Sequence, residues 1–166
     1  MEEIPALPIS TLEYLSLYNN KISTINDGAF ETLVNLKELY FLYSNKISTI
    51  NDGAFEALVN LKKLYLCNNE LEEIPALPIS TLEYLSFGNN KISTINDGAF
   101  EALVNLKELY LYNNELEEIP ALPISTLENL NLHSNKISTI NDGAFEALVN
   151  LKTLHLWGNP FKCDCA

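Results

Sequence analysis

The side chains able to do chemistry in this 166-residue chain are three cysteines, two histidines and 22 acids. Cys67 stands alone, and Cys163 and Cys165 form a Cys-x-Cys pair. A thiol nucleophile needs a base or a cation at a defined spacing. No zinc-protease, nucleophile-elbow, phosphate-loop or dinucleotide motif is present. His133 and His155 have no third ligand at fixed spacing and so do not make a zinc site. The carboxylates follow no calcium-loop spacing. The sequence therefore predicts no enzyme, no catalytic residue, no metal and no cofactor. Cys67 is expected as an exposed thiol. Cys163 and Cys165 are expected as free thiols, open to intermolecular disulfides in oxidising surroundings, because the side chains of such a pair point apart.

What remains is surface and shape. All ten basic residues are lysine, and the formal charge is −12. Phosphate backbones are bound by clustered positive charge, so no nucleic-acid partner is expected. An apolar fraction of 47% is too high for a disordered acidic tail and calls for a packed core. No apolar run nears the ~20 residues that span a bilayer, so no membrane partner is expected. The opening Met1-Glu2-Glu3-Ile4-Pro5 lacks the apolar stretch of a signal peptide and points to a soluble, cytoplasmic chain.

The elements that position these residues are repeats. The string Asn-Lys-Ile-Ser-Thr-Ile-Asn-Asp-Gly-Ala-Phe-Glu begins at Asn20, Asn45, Asn90 and Asn135. A second string, Glu-Glu-Ile-Pro-Ala-Leu-Pro-Ile-Ser-Thr-Leu-Glu, begins at Glu2, Glu72 and Glu117. The motif Leu-x-x-Leu-x-Leu-x-x-Asn starts at Leu12, Leu36, Leu61, Leu82, Leu106, Leu127 and Leu151, with spacings of 24, 25, 21, 24, 21 and 24 residues. In Leu106-Lys107-Glu108-Leu109-Tyr110-Leu111, apolar positions alternate as one short strand requires. Such a strand cannot bury its apolar side alone, and stacked units build a parallel sheet over a continuous core.

These residues and spacings resemble the extracellular type of leucine-rich repeat protein. The long units resemble the repeats of Toll-like receptors and lamprey variable lymphocyte receptors. The short units, with Ile119-Pro120 and Leu122-Pro123, resemble those of small leucine-rich proteoglycans. The ending Trp157-Gly158-Asn159-Pro160-Phe161-Lys162-Cys163-Asp164-Cys165 resembles the start of the family's C-terminal cap. The resemblance implies a leucine-rich repeat solenoid of the α/β class, a right-handed superhelix. Its concave face would be a curved parallel β-sheet, and its convex side irregular, 3-10 and polyproline structure with little α-helix. It divides a single domain, 1–166, into a makeshift N-terminal cap (1–11), units 12–35, 36–60, 61–81, 82–105, 106–126 and 127–150, and a terminal strand with a truncated cap (151–166). It also puts Asn20, Asn45, Asn69, Asn90, Asn114, Asn135 and Asn159 inside, their amides satisfying backbone groups. The family is extracellular, unlike the cytoplasmic chain the N-terminus suggests.

Several finer expectations follow. Ile137, Ile140, Phe145 and Leu148 should fill the core of a long unit, and Phe30, Phe55, Phe100 and Phe145 should stack as a convex spine. One extra residue in the unit starting at Leu36 predicts a bulge near Phe41 to Tyr43. Glu13, Lys37, Lys62, Glu83, Lys107, Glu128 and Lys152 should pair between neighbouring strands. The acidic excess on Glu70, Glu72, Glu73, Glu115, Glu117, Glu118, Asp27, Asp52, Asp97 and Asp142 reads as a solvated exterior.

The copies are nearly identical, and this uniformity suggests an idealised, designed repeat. The short units differ only at Lys63/Glu108 and Cys67/Tyr112. Such strand-confined variation fits either a tailored binding face or modules of different parentage. Outward strand positions place Tyr14, Tyr18, Tyr40, Tyr43, Tyr65, Tyr84, Tyr110 and Tyr112 on the concave face, joined by His133, His155 and Trp157. They read as a surface for a protein or peptide, or as good strand formers. Seven strands at ~4.8 Å make a sheet about 30 Å across. Two functions follow: a non-enzymatic scaffold of defined curvature, or a protein- or peptide-binding module. The uncapped first strand, Leu12 to Leu17, further predicts a homo-oligomer through that end.

Overall fold

The computed structural model describes residues 3–41, 45–96 and 98–162. Its strands are, in chain order, β1 (Tyr14–Ser16), β2 (Thr24–Ile25), β3 (Glu38–Tyr40), β4 (Thr49–Ile50), β5 (Lys63–Tyr65), β6 (Glu73–Ile74), β7 (Tyr84–Ser86), β8 (Thr94–Ile95), β9 (Glu108–Tyr110), β10 (Asn129–Asn131) and β11 (Thr153–His155). Seven of them form one parallel sheet in the order β1-β3-β5-β7-β9-β10-β11. The central leucines are register partners from strand to strand: Leu15, Leu39, Leu64, Leu85, Leu109, Leu130 and Leu154. Those with a unit on each side are fully buried, whereas Leu15 is half-buried and Leu154 exposed. Burial thus comes from the neighbouring turn of a parallel solenoid.

The asparagines clamp each turn to the next. Asn114 Oδ1 accepts from the Ile92 amide at 3.0 Å, and its Nδ2 donates to the carbonyls of Phe87 and Leu111, both at 3.1 Å. Asn45, Asn90, Asn135 and Asn159 bind in the same way to the preceding unit. Asn69 accepts from the Ile47 amide of the preceding unit in the same way, and among the described residues its Nδ2 donates to its own Leu66 and Cys67 carbonyls. Asn20 and Asn159, at the two ends, are half-buried and the other five buried. Among the described residues no buried side-chain nitrogen or oxygen lacks a partner, as close-packed polar groups require.

The convex side contains no helix of any kind among the described residues. Isolated turns, such as Leu33 N–H to Phe30 O, and two small parallel sheets, β2-β4 and β6-β8, take its place. The sheets stop where a long unit is followed by a short one, whereas β6 of a short unit pairs with β8 of the long unit after it. Between the first two long units the Asn51 amide donates to Ile25 O at 3.0 Å. In the short units that position is Pro75 or Pro120, which has no N–H to give.

Two core expectations need correction. Ile140 is 48% exposed, although its counterpart Ile25 is fully buried, because less of the stack covers it. Phe30 and Phe55 stack with centroids 6.0 Å apart, but the spine does not continue: a short unit separates Phe55 from Phe100, and another separates Phe100 from Phe145. The expected bulge and Tyr43 lie outside the described residues, as do Glu2, Asp97, Cys163 and Cys165.

Candidate functional site

The sheet's outer surface carries two aromatic stacks. The first runs Tyr14, Tyr40, Tyr65, Tyr84, Tyr110, with centroid separations of 5.0, 4.2, 4.5 and 5.1 Å. Tyr40, Tyr65 and Tyr110 close their strands, whereas Tyr14 and Tyr84 open theirs. The strand sequence Tyr-Leu-Ser explains how they align. Ser16 and Ser86 occupy the ladder's column with a small side chain, leaving space for the ring two residues earlier. The second stack is Tyr112, His133 and Trp157, with centroids 5.0 and 4.0 Å apart and planes within 12°. A Cβ on Gly88 would lie 2.2 Å from the Tyr112 ring, so Gly88 seats that end. Tyr18 is exposed and lies in neither stack. His155 is exposed on β11, and its charge, together with burial, acts on His133. Burial first, and then His155, hold the His133 pKa below its ordinary value. Among the described residues no three histidines, cysteines or acids converge as metal ligands.

Stacking decides what the surface offers. Faces within a ladder are covered by neighbouring rings, so ring edges and phenol groups point outward. The Tyr40 hydroxyl donates to Glu38 Oε2 at 2.7 Å and the Tyr110 hydroxyl to Glu108 Oε2 at 2.6 Å. Tyr40 and Lys63 hold the Glu38 carboxyl below the usual range. Burial, followed by the Glu108 contact, pushes the Tyr110 phenol up to about 12. Beside the ladder runs the expected charge row. Glu13 meets Lys37 at 2.7 Å, Glu83 bridges Lys107 at 2.9 Å and Lys62 at 3.0 Å, and Glu128 meets Lys152 at 2.7 Å. These pairs are solvent-exposed and contribute little stability.

Cys67 corrects an expectation. It is 5% exposed, turned in beside Ser86 rather than displayed on the surface. Burial pushes its thiol pKa up, which makes it a poor nucleophile. The small Ser86 leaves it room.

Three further features were missed. Asn19, Asn68, Asn89, Asn113 and Ser134 have φ between 50 and 57°, each directly before a clamp asparagine, with Gly158 in the same place. The Asn-Asn pairs were a readable signal, since asparagine tolerates this left-handed region. Asn35, Asn60, Asn105 and Asn150 form an exposed second ladder to the previous unit's backbone. A convex recess of about 1080 Å3 also opens above Pro120 between Ile95 and Thr139.

Family models match most of the chain. A two-copy model described as leucine rich repeats matches residues 10–55, 59–97 and 80–124, and a leucine rich repeat model matches residues 124–161. Among solved structures, one described as "Crystal structure of TLR13-ssRNA13 complex" is 27% identical with a TM-score of 0.70. The likeness covers 88% of this chain and 25% of that one, so this chain spans about a quarter of the structure it matches. No curated protein sequence matches the chain.

Proposed function

Because the chain belongs to the leucine-rich repeat family, we propose that it is a non-enzymatic repeat scaffold whose concave face binds a polypeptide segment. The observation that carries this reading is the five-ring tyrosine ladder. Its rings are held rigid by one another, so a partner would lose little of its binding energy to ordering them. Ring edges and hydroxyls suit the mixed polar and apolar surface of a protein. They suit stacked nucleobases poorly, because the ring faces are already covered. A charge of −12 without arginine also opposes a phosphate backbone. The neighbouring structure was solved with single-stranded RNA, and that ligand is the alternative the charge argues against. The near-identical copies support an idealised, designed chain that serves as a building block as well as a binding surface.

The test is selection of binders from a displayed peptide library, followed by Tyr40→Ala, Tyr65→Ala and Tyr110→Ala. Each substitution is expected to weaken the selected binders at least tenfold while circular dichroism shows the fold retained. Binders indifferent to all three would overturn the concave-face reading.

A further inference from the structure

The tripeptide Glu-Leu-Tyr occurs in β3 as Glu38-Leu39-Tyr40 and in β9 as Glu108-Leu109-Tyr110, with the same phenol-to-carboxylate bond in each. The two copies differ in what stands opposite. The register partner of Glu38 on β5 is Lys63, whose ammonium lies 2.9 Å from Glu38 Oε1. The register partners of Glu108 are Asn129 on β10 and Tyr84 on β7. Among the described residues no lysine reaches ion-pair distance of Glu108. Lys63 senses Glu108 but lies two strands away and is engaged with Glu38. Glu108 is half-buried. The rings of Tyr84 and Tyr110 that flank it lie 5.1 Å apart.

The first copy therefore shows an ammonium in its seat, and the second repeats the seat without one. We propose that Glu108, Tyr84 and Tyr110 receive a lysine side chain from the polypeptide bound on the concave face, a refinement that rests on the reading above. One carboxylate oxygen is held by the Tyr110 hydroxyl, and the other is left for the incoming ammonium. The edges of the two rings give the methylene stem of the lysine an apolar wall beside the carboxylate. Substitution of Glu108 for Lys63 is one of the two differences between the short units. It puts an acid on β9 where β5 carries a lysine, and the position opposite on β10 is Asn129.

Nα-acetyl-lysine methylamide, titrated at low salt into isotopically labelled protein, tests the proposal. The Glu108 carboxyl and the Tyr84 and Tyr110 ring signals are expected to shift and saturate in the millimolar range. The norleucine counterpart, without charge, should leave them in place. Glu108→Gln should abolish the shifts. Asn129→Lys should abolish them too, since that lysine occupies the register position Lys63 holds at Glu38. Shifts that survive Glu108→Gln, or that spread evenly over the convex acids, would overturn the seat. A concave-face binder weakened by Tyr65→Ala but not by Glu108→Gln overturns the seat alone. A binder indifferent to Tyr40→Ala, Tyr65→Ala and Tyr110→Ala overturns the reading beneath it.

Discussion

The rings of Tyr65 and Tyr84 lie 4.5 Å apart, although their backbones are not register partners. Tyr65 pairs with Ser86, and Tyr84 pairs with Lys63. The contact exists because Ser86 is small and buried, so the Tyr84 ring can lean across it. A larger side chain at 86 would compete for that space. Ser86→Leu is expected to cost about 1–3 kcal/mol by overpacking and to break the ladder in two. Near-UV circular dichroism should lose aromatic intensity, while Ser86→Ala keeps it. Full intensity in Ser86→Leu would show that the serine does not admit the ring.

The ladder also predicts alkaline behaviour. Burial is the first cause that raises the Tyr40, Tyr84 and Tyr110 phenols, with Glu38 and Glu108 adding to it at Tyr40 and Tyr110. A raised pKa means that the folded state holds the proton more tightly than the unfolded chain, whose phenols titrate near pH ~10. The stabilisation is therefore complete below pH about 10. It is lost as pH rises through the folded values, about 12 for Tyr110. Spectrophotometric titration should show a late-ionising group of tyrosines that appears only as the protein unfolds. Tyr110→Phe should remove one member of it.

The two asparagine ladders differ in what they hold. Asn114 is buried and joins four backbone groups, whereas exposed Asn105 donates once, to Ser80 O at 2.9 Å. Asn114→Ala leaves buried donors and acceptors unpaired and should cost about 3 kcal/mol. Asn105→Ala should cost ~1 kcal/mol or less, because water replaces the bond. Denaturant melts of the two variants check the ranking, and equal losses would contradict it.

The fold was legible because each unit repeats one alternating strand and one asparagine at fixed spacing. The solenoid, the buried leucines and the clamps all follow from that period. Side-chain placement within the concave face was only partly legible. Outward tyrosines could be listed, but the ladder depends on Ser16 and Ser86 yielding space to rings on their own strands. Cys67, which strand alternation alone would leave exposed, is turned in beside Ser86. The Phe spine failed for a related reason: a spacing rule within long units ignores the short units between them.

The convex recess has a cause that a single substitution can test. Asn51 closes the β2-β4 ladder with its N–H on Ile25 O at 3.0 Å. Pro120 holds the same position after Ile95, and the sheet ends there at β8. Pro120→Ala supplies the missing donor. The expected result is a new bond to Ile95 O, a third strand around Glu118 and Ile119, and a narrower recess. Stability should stay within about 1 kcal/mol, since the new bond is worth about 1 kcal/mol and loss of proline's restraint on the unfolded chain costs a similar amount. Hydrogen exchange reads the bond directly: the new amide at 120 should exchange at least tenfold more slowly than in an unfolded chain. Exchange at the unfolded rate would mean that the 21-residue length of the short unit, not its proline, ends the sheet.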